Sequence, residues 1–216
     1  MLNAQMLPVN PASTRPARPL LIITEGVLDI VFLTKLSQII HTAHSQLPDL
    51  QQLVSQGESI FLPAGGGDLS AWITRLSPLG CKQFFLFDRE QHPETAVRER
   101  IVAQINERVG CHAVLTRKRS LENYLHPAAI EATFGISIEL ADDTAVAELV
   151  TRSLPYVSSQ WPTMSPRHRQ RLIYRTKRRL NTEAVQHMTA ELFAERDPAG
   201  ELIKWLRTIA SLVTCL

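Results

Sequence analysis

Apolar and polar positions change period several times along the chain. Leu20-Leu21-Ile22-Ile23 is a continuous apolar run ending at Thr24-Glu25-Gly26, after which Leu28, Val31, Phe32, Leu36, Ile39 and Ile40 recur at helical spacing. The pattern predicts a strand over 19–24, a change of direction at Gly26 and a helix over 27–45. A polar connection over 47–58, with room for a short helix, leads to a second strand over 60–63 that closes in Gly65-Gly66-Gly67. Asp68 is the expected N-cap of a helix whose apolar face is Leu69, Trp72, Ile73 and Leu76. The run Phe84-Phe85-Leu86-Phe87 within 82–88 has the character of a strand covered on both faces. Val97, Ile101, Ile105 and Val109 at period four predict a helix over 94–109, and 112–116 a fourth strand.

Four alternations of strand and helix argue for an α/β fold, a parallel sheet of about four strands flanked by helices. Beyond Pro127 the pattern is helical only, with segments expected over 127–134, 142–153, 166–180, 182–193 and 198–212. Pro155, Pro162 and Pro166 mark an irregular hinge around Trp161. The expected organisation is a flexible tail (1–18), a catalytic domain (19–135) and an all-helical C-terminal extension (136–216). The stripe Leu202, Trp205, Leu206, Ile209 and Leu212 reads as core, or as a docking face.

Composition narrows the class. The 216 residues are 44% hydrophobic, enough for a real core, and no apolar run approaches the ~20 residues of a membrane span. No signal peptide opens the chain, and the cysteines (Cys81, Cys111 and Cys215) are odd in number and scattered, so a cytoplasmic location is expected. The formal net charge of +2 is unevenly held. Residues 164–181 carry Arg167, Arg169, Arg171, Arg175, Lys177, Arg178 and Arg179 and no acid, leaving 16 basic against 21 acidic residues elsewhere. Arg167, Arg171, Arg175 and Arg178 fall on one helix face, either a contact for phosphate backbones or a solvated or acid-paired face.

The candidate chemistry lies at strand ends. Glu25 closes the first strand and Asp29 falls in the first turn of the next helix. Asp88 and Glu90 end the most apolar strand, at i and i+2 of an extended segment and so facing the same way. The fourth strand leads into Arg117-Lys118-Arg119-Ser120-Leu121-Glu122-Asn123-Tyr124-Leu125. Ligands of open α/β sheets bind at the carboxyl edge, and hard oxygen donors in this number suit Mg²⁺ or Mn²⁺. Taken singly these acids read as helix caps and solvated strand ends; their joint placement after three strands points to a metal site.

The ordered set Glu25-Gly26-x-x-Asp29, Gly65-Gly66-Gly67-Asp68, Asp88-x-Glu90 and Ser120-x-Glu122-Asn123-Tyr124-Leu125 resembles the TOPRIM domain of overcoming-lysogenization-defect (OLD) nucleases, over about half the chain. The resemblance implies metal-dependent cleavage of DNA or RNA by a two-metal carboxylate site. Glu25 would be a ligand and general base, Asp29, Asp88 and Glu122 would complete the cluster, and Ser120 would lie near it. Glu90 stands where the family often has aspartate, and would bind metal through water or not at all. Arg117, Lys118 and Arg119 would hold substrate phosphates near the metals, with Arg171, Arg175, Lys177 and Arg178 of the basic segment as further nucleic-acid contacts. Lys118 and Lys177 are the candidates for a transition-state lysine. No G-x-x-x-x-G-K-[ST] motif accompanies these residues, so an ATPase would be a separate partner chain or absent, with self-association a further possibility. The competing reading is a non-catalytic TOPRIM-like binding or regulatory subunit of a larger complex.

Overall fold

The computed structural model describes residues 18–65 and 69–214. Residues 1–17 of the expected tail, the expected Gly66-Gly67-Asp68 turn and N-cap, and Cys215 lie outside them. Four strands, β1 (Leu20–Thr24), β2 (Ser59–Pro63), β3 (Gln83–Phe87) and β4 (Cys111–Leu115), form one sheet in the order β2-β1-β3-β4, all parallel. Between them run α1 (Val27–Ala43), the short α2 (Leu50–Ser55), α3 (Leu69–Leu76) and α4 (Glu94–Asn106). Every residue of β1 and β3 is buried, as expected for central strands covered on both faces.

Side chains alternate across these strands, and two cores follow from that. Leu20, Ile22, Phe84 and Leu86 face one way and pack with Phe32, Leu33 and Leu36 of α1. Leu21, Ile23, Phe85 and Phe87 face the other, against Leu76 of α3 and Ile105 of α4. The predicted period-four stripe of α4 ends early. The helix stops at Asn106, whose side chain bonds both backbone groups of Ala113 (3.0 and 2.7 Å), and Val109 is left fully exposed beyond it.

The C-terminal half is helical, as predicted: α5 (Pro127–Phe134), α6 (Val146–Ser153), α7 (Pro155–Ser158), α8 (Pro166–Thr182), α9 (Ala190–Arg196) and α10 (Glu201–Thr214). The helix expected over 182–193 is broken. A tight turn, Ala184–His187, is followed by extended Met188 and by Thr189, whose hydroxyl caps α9 at Leu192 N–H (3.3 Å). These helices do not build a second core. Leu180, Phe193, Leu202, Trp205, Leu206 and Ile209 join the cluster on the α1 face of the sheet, with Phe193 edge-on to Phe32 at 6.3 Å. The α10 stripe is therefore core.

The strand order also fixes where the chemistry can sit. The chain leaves β1 toward β2, then recrosses to β3 on the other side. The carboxyl ends of β1 and β3 thus flank a point where connections diverge, which opens a crevice there.

Candidate metal centre

Glu25 follows β1 and Asp88 follows β3 directly, so the two loops that border the crevice both begin with an acid. Glu25 Oε1 accepts from the backbone N–H of Asp88 at 2.8 Å, tying the loops together. Gly26, expected to need a turn conformation, is extended (φ −145°), and an added Cβ would meet only Asp29 Oδ2 at an ordinary 3.6 Å. Its N–H donates to Asp29 Oδ2 at 2.7 Å, which holds the Asp29 side chain over the helix start. The glycine that the backbone does require is Gly65 (φ +75°), whose N–H extends the β1–β2 pairing to Glu25 O.

The segment after β4 is built residue by residue. Thr116 Oγ1 accepts from Arg89 N–H and donates to Lys118 O, binding the β3 and β4 loops. Asp88 Oδ1 accepts from Leu121 N–H at 3.0 Å, capping the tight turn Leu121–Tyr124 and setting Glu122 beside it. Ser120 Oγ lies 2.7 Å from Glu122 Oε2. Asn123 Nδ2 donates to the carbonyls of Ala141 (3.1 Å) and Thr144 (3.0 Å), while Tyr124 turns into the core, its hydroxyl on Glu201 and its ring edge-on to Trp205 at 5.5 Å. In Glu-Asn-Tyr-Leu only the glutamate faces the site; the other three anchor it.

Glu25, Asp29, Asp88 and Glu90 line one cleft of about 540 Å³ with Lys177 and Arg178 of α8, and Glu122 reaches it through Lys177 Nζ at 3.4 Å. A larger cavity of about 630 Å³, between Arg18, Lys82 and Leu212–Thr214, lies beside the opposite ends of the strands and holds none of the candidate acids. Burial, reinforced by Glu122, Asp29 and Glu25, pushes the Asp88 carboxyl well above the usual range. Asp29 rises to about 6, chiefly through burial and against the pull of Lys177, with Glu122 and Glu25 adding to the rise. Burial opposes the charge on Lys177, but Glu122, Asp88 and Asp29 outweigh it and raise its pKa.

Two partners in the cleft were invisible in the sequence. Arg98 of α4 grips both oxygens of Glu25, Nη2 at 3.0 Å from Oε2, and bonds Asp88 O with its other nitrogen at 2.6 Å. Asn181 of α8 donates to Glu122 Oε1 at 2.6 Å, and its own buried Oδ1 has no partner among the described residues. Neither residue lies in a motif; α4 and α8 reach the cleft only through tertiary packing.

Several expectations change. β3 ends at Phe87 and Glu90 takes a left-handed conformation (φ 54°), so Asp88 and Glu90 do not share an extended face. Asp88 points inward, while Glu90 sits on the rim near Arg119 at 3.6 Å. Lys118 is not among the residues lining the cleft: it is buried, paired with Asp142 and set over the Tyr124 ring at 5.6 Å. Arg119 spans Glu90 and the Asp143 carbonyl, and Arg117 is exposed, its backbone N–H on Glu201. Of the two candidate lysines, Lys177 is the one that lines the cleft and pairs with Glu122. On α8 the exposed Arg167, Arg171, Arg175 and Arg178 pair with no carboxylate among the described residues; Asp142 goes to Lys118 and Arg196 instead.

No protein-family model and no curated protein matches the sequence. Among solved structures, the C-terminal region of the Burkholderia pseudomallei OLD protein superposes with a TM-score of 0.52 at 16% identity, covering 92% of this chain and 99% of that one. The chain has the fold of an OLD C-terminal region. This TOPRIM-like α/β fold takes in the C-terminal helices, since the match spans nearly the whole of both chains. The C-terminal region of the Xanthomonas campestris pv. campestris OLD protein also matches, with a TM-score of 0.46 at 14% identity and 91% of this chain covered.

The donor set fits a hard divalent cation. Its oxygens are carboxylates; burial and the neighbouring acids disfavour ionisation of Asp29 and Asp88, as a cation would relieve; and Asn181 Oδ1 is a spare buried acceptor beside Glu122. In the present arrangement Arg98 and Lys177 supply the positive charge, and no three acidic, His or Cys side chains form a ready cage among the described residues.

Proposed function

We propose that the chain is a divalent-metal-dependent nuclease that cleaves phosphodiester bonds of DNA or RNA in the cytoplasm. The observation that carries this reading is the gathering of Glu25, Asp29 and Asp88 in one cleft with Lys177, which Glu122 also meets, at the carboxyl edge of the sheet. Those four acids, with Glu90 and Ser120 at the margin, would hold Mg²⁺ or Mn²⁺. Such an ion, when bound, stabilises charge on the attacking and leaving oxygens. Lys177 holds positive charge where a phosphate would enter, and Asn181 keeps Glu122 oriented. Glu25, once released from Arg98, offers a carboxylate oxygen to take the proton of the attacking water.

A second reading rests on the Arg98–Glu25 and Lys177–Glu122 pairs, which neutralise two of the acids without a metal. In that reading the chain binds nucleic acid as a regulatory subunit beside a separate ATPase. Supercoiled plasmid and RNA, each incubated with Mg²⁺, Mn²⁺ or EDTA, separate the two. The nuclease reading expects metal-dependent cleavage that falls by orders of magnitude in Glu25→Gln while the fold survives. Cleavage that Glu25→Gln leaves untouched defeats the proposed centre; tight binding with no cleavage supports the subunit.

A further inference from the structure

We infer that Tyr174 is a stacking platform for an unpaired base, so that the strand led to the acidic cleft is single-stranded. The inference rests on the reading of the cleft as a nucleic-acid site and adds its substrate class. Position on α8 is the first argument. Lys177 and Asn181 of this helix reach Glu122, whereas Arg167, Arg171 and Arg175 line a separate basic groove of about 580 Å³. At 3.6 residues per turn Tyr174 falls between these two stripes, three residues from Lys177 and three from Arg171. It lines both the cleft and the groove, as Arg178 does.

Exposure is the second argument. Tyr174 is 62% exposed, and its hydroxyl has no hydrogen-bond partner among the described residues. Val27, also 62% exposed, lines the same cleft across from α8. A large aromatic left open between unpaired arginines and crowded acids contributes nothing to the core. Its ring can take a base face. The bases of a duplex already stack on their neighbours, so only an unpaired or splayed base offers that face. The arginine row, spanning about 16 Å from Arg167 to Arg178 at ~1.5 Å per residue, would follow the phosphates of the same strand.

The test is anisotropy binding of labelled single-stranded DNA and RNA of mixed sequence, and of a blunt duplex of equal length. EDTA is present throughout, so that neither metal nor cleavage enters. The wild type should favour the single strands, and Tyr174→Ala should weaken them by roughly 5- to 100-fold, the range of one lost base stack. Tyr174→Phe should bind as the wild type, and duplex affinity and the salt slope should not move in either variant. Equal loss on duplex and single strand, an unchanged Tyr174→Ala, tighter duplex binding, or no binding at all each overturns the inference. Tyrosine-dependent single-strand binding by a chain that cuts nothing in Mg²⁺ or Mn²⁺ removes the nuclease reading and leaves this one standing. Cleavage of duplex and single strand alike, indifferent to Tyr174→Ala, does the reverse.

Discussion

Burying Asp29 beside Glu122 and Glu25 works against its ionisation, and of the groups around it Lys177 pulls hardest the other way. An acid whose pKa rises from 3.8 to about 6 on folding binds more protons in the native state across that window. Its contribution to stability is therefore fully present below the unfolded value and lost as pH climbs through the folded one. In EDTA, Asp29→Asn should melt above the wild type at neutral pH by several degrees, on the order of 2–3 kcal/mol, because the amide still accepts from Gly26 N–H and carries no charge. The gap should close near pH 4, and thermal melting across pH 4–8 checks it. A wild type as stable as the variant at neutral pH would mean that the Lys177 pairing offsets the burial. The same crowding explains Arg98: beside Glu25 it supplies a positive charge the acids lack, and the contact holds its own pKa up against burial.

At the scale of elements, α8 does three things with one helical period. Thr176, Leu180 and Asn181 are buried against the molecule, Lys177 turns to the acids, and Arg167, Arg171, Arg175 and Arg178 face solvent. Pairing with Glu139, Asp142 or Asp143 would have made those arginines structural, but no such pair forms among the described residues. The triple change Arg171, Arg175 and Arg178→Gln should accordingly spare the melting temperature. Binding should weaken alike for all sequences, and the plot of log affinity against log salt should flatten by about 0.7–0.9 for each lost contact. An unchanged slope would return the stripe to solvent. The turn Leu121–Tyr124 is the other element that links layers: Tyr124 and Glu201 join it to α10, so the far helix holds Glu122 in place.

For the whole molecule, a cation entering the cleft should act as a ligand of the native state only. At a hundredfold excess over its dissociation constant it adds about 2.7 kcal/mol, so Mg²⁺ or Mn²⁺ should raise the melting temperature by roughly 5–10 °C. Asp88→Asn, which keeps the Leu121 hydrogen bond, should lose most of that rise; equal rises would place the ion elsewhere. How the sequence produces this molecule divides cleanly. Continuous apolar runs and the 3.6-residue period are local properties, so the four strands, α1 and most later helices were readable within a few residues. So was the placing of acids at strand ends, since strand ends are where apolar runs stop. The bends escaped: Glu90 leaves the extended register at a single positive φ, α4 stops at an Asn106 side chain bonded to β4, and Thr189 restarts a helix that the pattern ran through. Each depends on a bond or a backbone angle that no periodicity records. The sequence by itself determined which segments are strands or helices and that their ends are acidic. Only the tertiary structure decided that C-terminal helices share the core of the sheet, that Lys177 rather than Lys118 meets the acids, and that Arg98, Asn181 and Tyr174 stand at the cleft. These partners lie tens of residues apart in the chain, and packing, not spacing, brings them together.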